Sequence, residues 1–270
     1  MVNAPRSESS MPRFAANVSL LFSEVPLSER FARARAAGFE AVECWWPFAD
    51  PDPSAAQVAA FVSALDAADV RLTGINLFAG DMPAGERGVV SHPGRTDELT
   101  ANLTVVRSIV EATGCTRVNA LYGQRLPGVP AATQDRTATL NLRRAVDTLG
   151  DVGATVLVEP LTDGENGDYP VRTLEDALAV ADRVGAGAAV LFDVYHLHNN
   201  GADVVADVAR VIDAVGHVQV ADSPGRGEPG TGTIDFASFF RTLDASGYTG
   251  WVGCEYRPTA ETEQTLAWRP

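Results

Sequence analysis

The chain has 270 residues, of which 46% are apolar and 21% are charged, as is typical of one globular protein. This length suits a single α/β barrel, a fold of about 250 residues. The net charge of −14 repels phosphate backbones, so we expect no nucleic-acid partner.

In chain order, a polar segment is followed by eight repeats of a strand and a helix. Residues 1–11 lack the apolar centre of a secretory signal, and we expect a disordered tail before a single domain over residues 12–270. The predicted strands cover residues 13–19, 41–44, 71–77, 117–121, 155–159, 188–193, 217–221 and 251–255. The predicted helices cover residues 26–37, 54–68, 96–113, 132–152, 173–184, 203–214 and 235–246, with residues 260–268 as a reduced eighth helix.

The residues at the ends of these elements support the alternation. Ser54, Thr173 and Asp235 are suited to cap helix starts, and Ser23 or Pro26 precedes the first helix. Glycines suited to helix C-termini follow at positions 38, 114, 153, 185, 216 and 247. Strands such as ATVLVE and AAVLFD are apolar throughout, as strands buried on both faces must be.

Strict alternation of strand and helix predicts a parallel sheet, and eight units predict a closed (β/α)₈ TIM barrel. The competing fold is an open, doubly wound sheet. It is disfavoured because no G-x-G-x-x-G follows the first strand and because eight units are too many for one such half-fold.

The last four predicted strands each end in an oxygen-bearing side chain: Glu159, Asp193, Gln219 and Glu255. Neighbouring strand ends of a barrel converge on its C-terminal face, where active sites are built, so we predict that these side chains share one ion. Carboxylate and amide oxygens favour Mg²⁺ or Mn²⁺ over zinc. The alternative is a set of solvated rim residues, which is less favourable because crowded, uncompensated carboxylates are costly.

The chain resembles the hydroxypyruvate isomerases of the xylose isomerase-like superfamily of barrel isomerases and epimerases. The resemblance covers residues 13–258, nearly the whole chain. The segments that carry it include LVEP, FDVYH, GHVQVADSPGRGEPGTGTID and GYTGWVGCEYRP. Many relatives in the superfamily have His where this chain has Gln219, so the segment around that residue is among the most specific.

The resemblance implies a function and roles for the strand-end residues. In similar enzymes the residues matching Glu159, Asp193, Gln219 and Glu255 bind a divalent metal, and the two glutamates serve as proton donor and acceptor. The implied reaction interconverts hydroxypyruvate and tartronate semialdehyde through a cis-enediolate. The resemblance also implies a place in glyoxylate metabolism.

Alternative functions remain open from sequence. A 2-oxo-tetronate isomerase or a ketose 3-epimerase would use the same metal site, because specificity in a barrel lies in its loops. An abasic-site endonuclease would need a His-rich site and a basic face, which four His and the charge of −14 disfavour. Two glutamates at the strand ends argue against a barrel that only binds metabolites.

Five residues are candidates for substrate binding. His196 lies on the predicted loop after the sixth strand, and its position matches a His that contacts a substrate oxygen in related epimerases. Arg226, in the loop DSPGRGEPGTG, could bind a carboxylate bidentately or face solvent. Arg87 and His92, in a loop long enough to act as a lid, are alternative anion contacts, and Tyr122 is a candidate pocket lining.

Other residues near the predicted site have less specific interpretations. Glu43 ends the second strand, where its side chain could hydrogen-bond within the rim. Trp45 and Trp46 could either wall the pocket or pack against a helix or a second subunit. His217 opens the predicted seventh strand at the bottom of the barrel and is interpreted as structural.

Expectations for cellular location and oligomeric state come from the cysteines, the lengths of the apolar runs and the fold class. Cys44, Cys115 and Cys254 are odd in number and widely spaced, which argues against disulfides and for a reducing cytoplasm. No apolar run reaches the ~18 residues of a membrane span, so we expect no membrane partner. Barrels of this type commonly pair, so we expect a homodimer or homotetramer that binds a small hydroxy-acid, oxo-acid or sugar.

Overall fold

The computed structural model of this chain describes residues 12–269, so the predicted N-terminal tail lies outside the described residues. Eight strands form a closed barrel in the order β1 to β8, and β8 pairs with β1. All eight pairings are parallel. The prediction of a (β/α)₈ barrel is therefore confirmed.

Helices alternate with the strands around the barrel. The strands are β1 (Arg13–Asn17), β2 (Ala41–Cys44), β3 (Arg71–Asn76), β4 (Arg117–Asn119), β5 (Thr155–Val158), β6 (Ala188–Asp193), β7 (Val215–Val220) and β8 (Trp251–Cys254). The helices are α1 (Leu27–Ala36), α2 (Ala55–Ala68), α3 (Thr96–Thr113), α4 (Ala131–Gly150), α5 (Leu174–Val184), α6 (Val194–Asn199), α7 (Val204–Val211) and α8 (Phe236–Ala245). Short 3₁₀ turns cover Pro93–Arg95, Ile212–Ala214 and Thr262–Thr265.

The helix ends follow most of the predicted caps. Ser54 and Thr173 each accept a hydrogen bond from the backbone three residues on, and Asp235 does the same. Gly114 ends α3 in the left-handed conformation at φ +69°. The prediction that Gly216 ends a helix is wrong, because it lies inside β7. A Cβ there would lie 2.6 Å from Leu157 Cδ2, so glycine permits close packing of the strands.

The interior of the barrel holds polar side chains as well as apolar ones. Asn17, Glu43, His217 and Gln219 are buried in a hydrogen-bonded network contributed by β1, β2 and β7. Leucines from β5 and β6 lie across the same interior space. The barrel core thus carries polar groups directly beneath its C-terminal face.

The described part of the segment after β8 contains no long helix. In place of the predicted helix over residues 260–268, only the 3₁₀ turn Thr262–Thr265 is helical. The Thr262 hydroxyl accepts a hydrogen bond from the Phe22 backbone N–H at 2.7 Å. Trp268 stacks on Phe240 of α8, with ring centroids 6.2 Å apart, and meets the edge of Phe14 of β1 at 5.1 Å. The segment therefore covers the seam between β8 and β1.

Among the helices of residues 12–269, none combines the length and apolar character that crossing a membrane requires.

Candidate active site

The four predicted strand-end residues lie together at the C-terminal end of the barrel. Glu159 follows β5, Asp193 ends β6, Gln219 lies in β7 and Glu255 follows β8. All four side chains are buried. Asp193 and Gln219 occupy paired positions on neighbouring strands. Because neighbouring parallel strands end at the same face of the barrel, these side chains are brought to one place.

Glu159 carries a carboxyl group that resists ionisation. Burial raises its pKa well above the ordinary value, and the nearby carboxylates of Glu255 and Asp193 raise it further. Asn119 Nδ2 donates to Glu159 Oε2 at 2.6 Å, a contact that opposes the rise by stabilising the charged form. The Glu159 carboxyl group is therefore held by a donor on one oxygen while the other faces the cluster.

Glu255 accepts hydrogen bonds from three side chains. Arg226 contacts Glu255 Oε1 at 2.6 Å, Trp45 Nε1 donates to the same oxygen at 3.2 Å, and Asn17 Nδ2 donates to Oε2 at 3.0 Å. Burial nevertheless raises the pKa of Glu255 to about 8, although the Arg226 guanidinium opposes the shift. A carboxyl group poised this close to neutral pH can both take up and release a proton.

Arg226 is a buried cation in the middle of this acidic cluster. Besides its contact with Glu255, its guanidinium lies 4.0 Å from Asp193 Oδ2 and 5.3 Å from the centre of the Tyr195 ring. Burial raises the pKa of Asp193 to about 6, against the effect of Arg226. The structure therefore places the predicted anion contact among the carboxylates, and the loop arginine is not solvent-facing.

Unpartnered oxygens identify where a cation fits. Asp193 Oδ2, Gln219 Oε1 and Asn119 Oδ1 are buried without a hydrogen-bond partner among the described residues, and the first two belong to predicted metal ligands. An unsatisfied buried oxygen is costly unless a donor or a cation meets it. Glu159, Asp193 and His196 each offer an atom within 4.8 Å of the others, so this group could hold a metal ion. The oxygen-rich cluster fits a hard divalent cation.

His196 lies in the short helix α6, and the prediction of a loop there is wrong. Asp193 Oδ1 accepts a hydrogen bond from the His196 backbone N–H at 3.0 Å, and this cap starts the helix directly after β6. The Thr162 backbone N–H donates to His196 Nδ1 at 3.1 Å, so a neutral ring carries its proton on Nε2. Burial, with Arg226 and Arg87 nearby, holds the pKa of His196 well below its usual range.

The protonated ring nitrogen of His196 faces the cluster. His196 Nε2 lies 3.9 Å from Glu159 Oε1. A nitrogen that carries a proton is a hydrogen-bond donor and not a metal ligand. The tautomer thus favours a substrate contact for His196 and leaves metal ligation to the oxygen atoms.

Arg87 and Tyr122, two further predicted substrate contacts, are placed differently: Arg87 lies beside Arg226 and His196, and Tyr122 is engaged elsewhere. Burial lowers the pKa of Arg87, and the nearby Arg226 lowers it further. Arg87 in turn helps to lower the pKa of His196, and its Nε donates to Asn166 Oδ1 at 3.0 Å. The Tyr122 hydroxyl donates to Asp135 of α4 at 2.7 Å and is thus engaged outside the cluster.

His92 makes a local contact in the loop after β3. Its Nδ1 accepts a hydrogen bond from the Gly94 N–H at 3.2 Å, at the start of the turn Pro93–Arg95. Among the described residues, His92 forms no hydrogen bond or ion pair with the carboxylates of the cluster. Substrate binding by His92 and Tyr122 stays a prediction.

Several residues of the site were not among the predicted site residues. Asn17 and Asn119 are the last residues of β1 and β4, and each donates to one of the two glutamates. Polar residues at strand ends are the signal that identified the four others, and it could have identified these two. Thr162 lies in a loop and fixes the His196 ring without any sequence signal.

Glu43 lies inside the barrel instead of at its rim. Its carboxylate accepts hydrogen bonds from Asn17 and Gln219 and contacts His217 Nε2 at 2.5 Å. His217 is buried, as a structural role requires, but it is the third residue of β7. These contacts place a polar layer directly below the cluster.

The sequence matches the family described as xylose isomerase-like TIM barrel over residues 31–269. The chain belongs to this family. It is 45% identical over 266 residues to a putative hydroxypyruvate isomerase of Streptomyces coelicolor, with 96% of this chain and 95% of the relative covered. It is also 34% identical to the hydroxypyruvate isomerase of Escherichia coli over 96% of this chain and 98% of that one. These relatives identify the chain as an isomerase.

Two further comparisons bear on function and fold. A 2-oxo-tetronate isomerase of Cupriavidus necator is 35% identical, with 96% of this chain and 97% of that protein covered. A solved structure from Brucella melitensis, described as an AP endonuclease of family 2, superposes with a TM-score of 0.88 at 35% identity, covering 96% and 98% of the two chains. The isomerase relatives support an activity on a sugar or keto acid.

Proposed function

We propose that this isomerase interconverts hydroxypyruvate and tartronate semialdehyde with the help of one divalent metal ion, Mg²⁺ or Mn²⁺. The observation that carries the proposal is the pair of buried glutamates, Glu159 and Glu255, whose pKa values are raised beside unpartnered oxygen atoms. In this assignment Glu159, Asp193, Gln219 and Glu255 hold the metal. When bound, the ion supplies positive charge that stabilises the enediolate of the substrate.

The reaction needs one proton removed and one delivered on adjacent carbons. One glutamate takes a proton from the hydroxymethyl carbon of hydroxypyruvate, and the electron pair left behind forms a carbon–carbon double bond. The former carbonyl oxygen takes the negative charge. A glutamate then delivers a proton to the former carbonyl carbon, and the hydroxyl proton moves between the two oxygens. A pKa of about 8 lets the Glu255 carboxyl group exchange protons near neutral pH, and the pKa of Glu159 is also raised.

The chain's other residues bind and orient the substrate. Arg226 and Arg87 supply positive charge beside the cluster, which suits the carboxylate of an oxo acid. The Nε2–H of His196 is positioned to donate to a substrate oxygen. Asn119 and Trp45 each donate to a catalytic glutamate and so fix its orientation.

Turnover of hydroxypyruvate by the purified, metal-loaded enzyme tests the proposal. We expect formation of tartronate semialdehyde with Mg²⁺ or Mn²⁺ and little after treatment with EDTA. Glu255→Gln keeps the size of the side chain and removes its proton exchange, so it should lower kcat by about 10²- to 10⁴-fold. Turnover of the wild type no faster than that of Glu255→Gln would overturn the proposal.

A 2-oxo-tetronate isomerase is the second candidate, because a relative with that activity is 35% identical over nearly the same length. The same metal site and glutamates would serve it, and a longer substrate would reach into the loops after β2 and β3. A substrate panel separates the two: higher kcat/KM for a four-carbon oxo acid than for hydroxypyruvate would favour the second candidate. Preference for a neutral ketose, as a 3-epimerase would show, would remove the role of Arg226 as a carboxylate contact.

Nuclease activity is disfavoured despite the similarity to the Brucella melitensis protein. A nuclease of this fold must attract a phosphate backbone, whereas this chain carries a net charge of −14. Salt-sensitive binding of DNA in a gel-shift assay would reopen that alternative.

A further inference from the structure

Gln219 has an amide side chain whose two ends differ in chemistry, and the interior of the barrel holds it in one orientation. Gln219 Nε2 donates to Glu43 Oε1 at 2.7 Å. The same Glu43 oxygen also accepts from the Asn17 amide, so it acts as an acceptor and the Gln219 amide turns its NH₂ group toward it. The carbonyl oxygen Oε1 then points away, and it is the atom that is buried without a partner.

The Glu43 carboxylate is itself held in place from several directions. Its Oε1 also accepts from Asn17 Nδ2 at 3.0 Å, and its Oε2 contacts His217 Nε2 at 2.5 Å. Three contacts from β1 and β7 therefore fix a side chain that belongs to β2. A carboxylate held this way offers Gln219 a fixed acceptor.

A glycine in β8 provides the space for this carboxylate. A Cβ added at Gly253 would lie 2.3 Å from Glu43 Oε1 and 2.5 Å from its carboxyl carbon. Gly253 pairs with Gln219 across the β7–β8 ladder. The absence of a side chain at this position therefore lets the carboxylate reach the amide.

We propose that Glu43 is a positioning residue that selects the amide orientation in which Gln219 presents its carbonyl oxygen to the metal ion. The inference rests on the metal site of the proposed function. An amide, unlike a carboxylate, would present N–H groups to the ion if it turned over, and an N–H cannot ligate a cation. The Glu43 oxygen that accepts from the Gln219 amide removes this ambiguity. Partners of this kind typically change metal affinity by about 10- to 100-fold when they are lost.

A double-mutant cycle on metal affinity tests the inference. The Kd for Mn²⁺ is measured by titration calorimetry for the wild type, Glu43→Met, Gln219→Met and the double variant. We expect each single variant to bind about 10- to 100-fold more weakly. If Glu43 acts through Gln219, the double variant binds as weakly as Gln219→Met alone. Effects that multiply in the double variant would show that Glu43 acts on the ion by its charge alone, and this would overturn the inference.

Further variants keep the test decisive if Glu43→Met fails to fold. Gly253→Ala leaves Glu43 in the sequence but displaces its carboxylate, so it should weaken Mn²⁺ binding in the wild type and not in the Gln219→Met background. Glu43→Gln retains an acceptor oxygen for the Gln219 amide and should recover most of the affinity. Glu111→Met removes the same charge from an exposed surface position and serves as the matched control. Wild-type affinity in Gly253→Ala would contradict the inference.

The same measurements separate this inference from the proposed function. If Gln219→Met binds Mn²⁺ as tightly as the wild type, the proposed metal site itself is wrong. If Gln219→Met weakens binding but Glu43→Met and Gly253→Ala do not, the metal site stands and the role of Glu43 is refuted.

Discussion

Arg226 is the cation that compensates the acidic cluster when metal is removed, and replacing it with Met should destabilise the metal-free protein in a pH-dependent way. Its guanidinium lies 2.6 Å from Glu255 and 4.0 Å from Asp193, and its side chain is 13% exposed. Removing one partner of a buried ion pair costs about 3–5 kcal/mol, because the remaining charge is left uncompensated. At about 2–4 °C for each kcal/mol in a chain of this size, Tm should fall by about 6–20 °C.

The pH dependence of this loss follows from the Glu255 carboxyl group. Burial already raises its pKa to about 8, and without Arg226, which opposes that shift, the pKa rises further. At pH 6 the Glu255 carboxyl group is protonated in the folded state of both proteins, so the arginine then compensates mainly the partly ionised Asp193 and contributes less than at high pH. Above about pH 8 the wild type holds an ionised, paired carboxylate that the variant cannot hold. The difference in Tm should therefore grow from pH 6 to pH 9.

Thermal unfolding in EDTA at pH 6 and pH 9 measures this difference. Arg210→Met is the matched control, because Arg210 forms its ion pairs on the surface, where such pairs contribute about 1 kcal/mol or less. An equal loss of Tm at both pH values, or a loss no larger than that of Arg210→Met, would refute the argument that Arg226 compensates the cluster.

Three other predictions concern the protons and the metal of the site. Asn119→Leu removes the donor to Glu159, so the pKa of Glu159 should rise and the acid limb of the pH profile of kcat/KM should move to higher pH; an unchanged profile would exclude that role. The Glu255 pKa of about 8 means that the folded, metal-free wild type binds more protons than the unfolded chain between pH 4.5 and 8, so its Tm in EDTA should fall as pH rises from 6.5 to 8. Saturating Mn²⁺ favours the ionised carboxylates and should abolish that fall, and an identical slope with and without Mn²⁺ would contradict metal binding at this cluster. His196→Gln should raise KM about tenfold or more while the Kd for Mn²⁺ stays within about twofold, because Nε2–H serves the substrate; a large loss of Mn²⁺ affinity would instead make His196 a ligand.

The barrel and the position of its site could be predicted because both depend on periodic features of the sequence. Apolar strands alternate with capped helices, and oxygen-bearing residues such as Glu159 and Asp193 stand where the apolar runs end. Strand ends were less predictable: β4 ends at Asn119, two residues before its predicted end. The short helix α6 was missed because six residues carry too little periodicity to be distinguished from a loop.

The contacts that tune the site could not be predicted, because they join residues far apart in the chain. Glu43 and Gln219 are 176 positions apart, and Asn17 and Glu255 are 238 apart. Only closure of the barrel sets such distances. The sequence showed an arginine in the Gly-rich loop, but its contact with Glu255 depends on how that loop folds back over the rim, with Arg226 in the left-handed region at φ +58°.

Closure of the barrel joins its first strand to its eighth, so the ring of strands cannot close before β8 has been synthesised. β1 pairs on one side with β8, so its outer edge has no partner until residues near position 251 leave the ribosome. Trp268, which stacks on Phe240 and meets Phe14, arrives later still. A nascent chain therefore exposes two open strand edges throughout elongation, and exposed edges are templates for aggregation. Cotranslational protection by chaperones should accordingly matter most in the interval before β8 emerges from the ribosome.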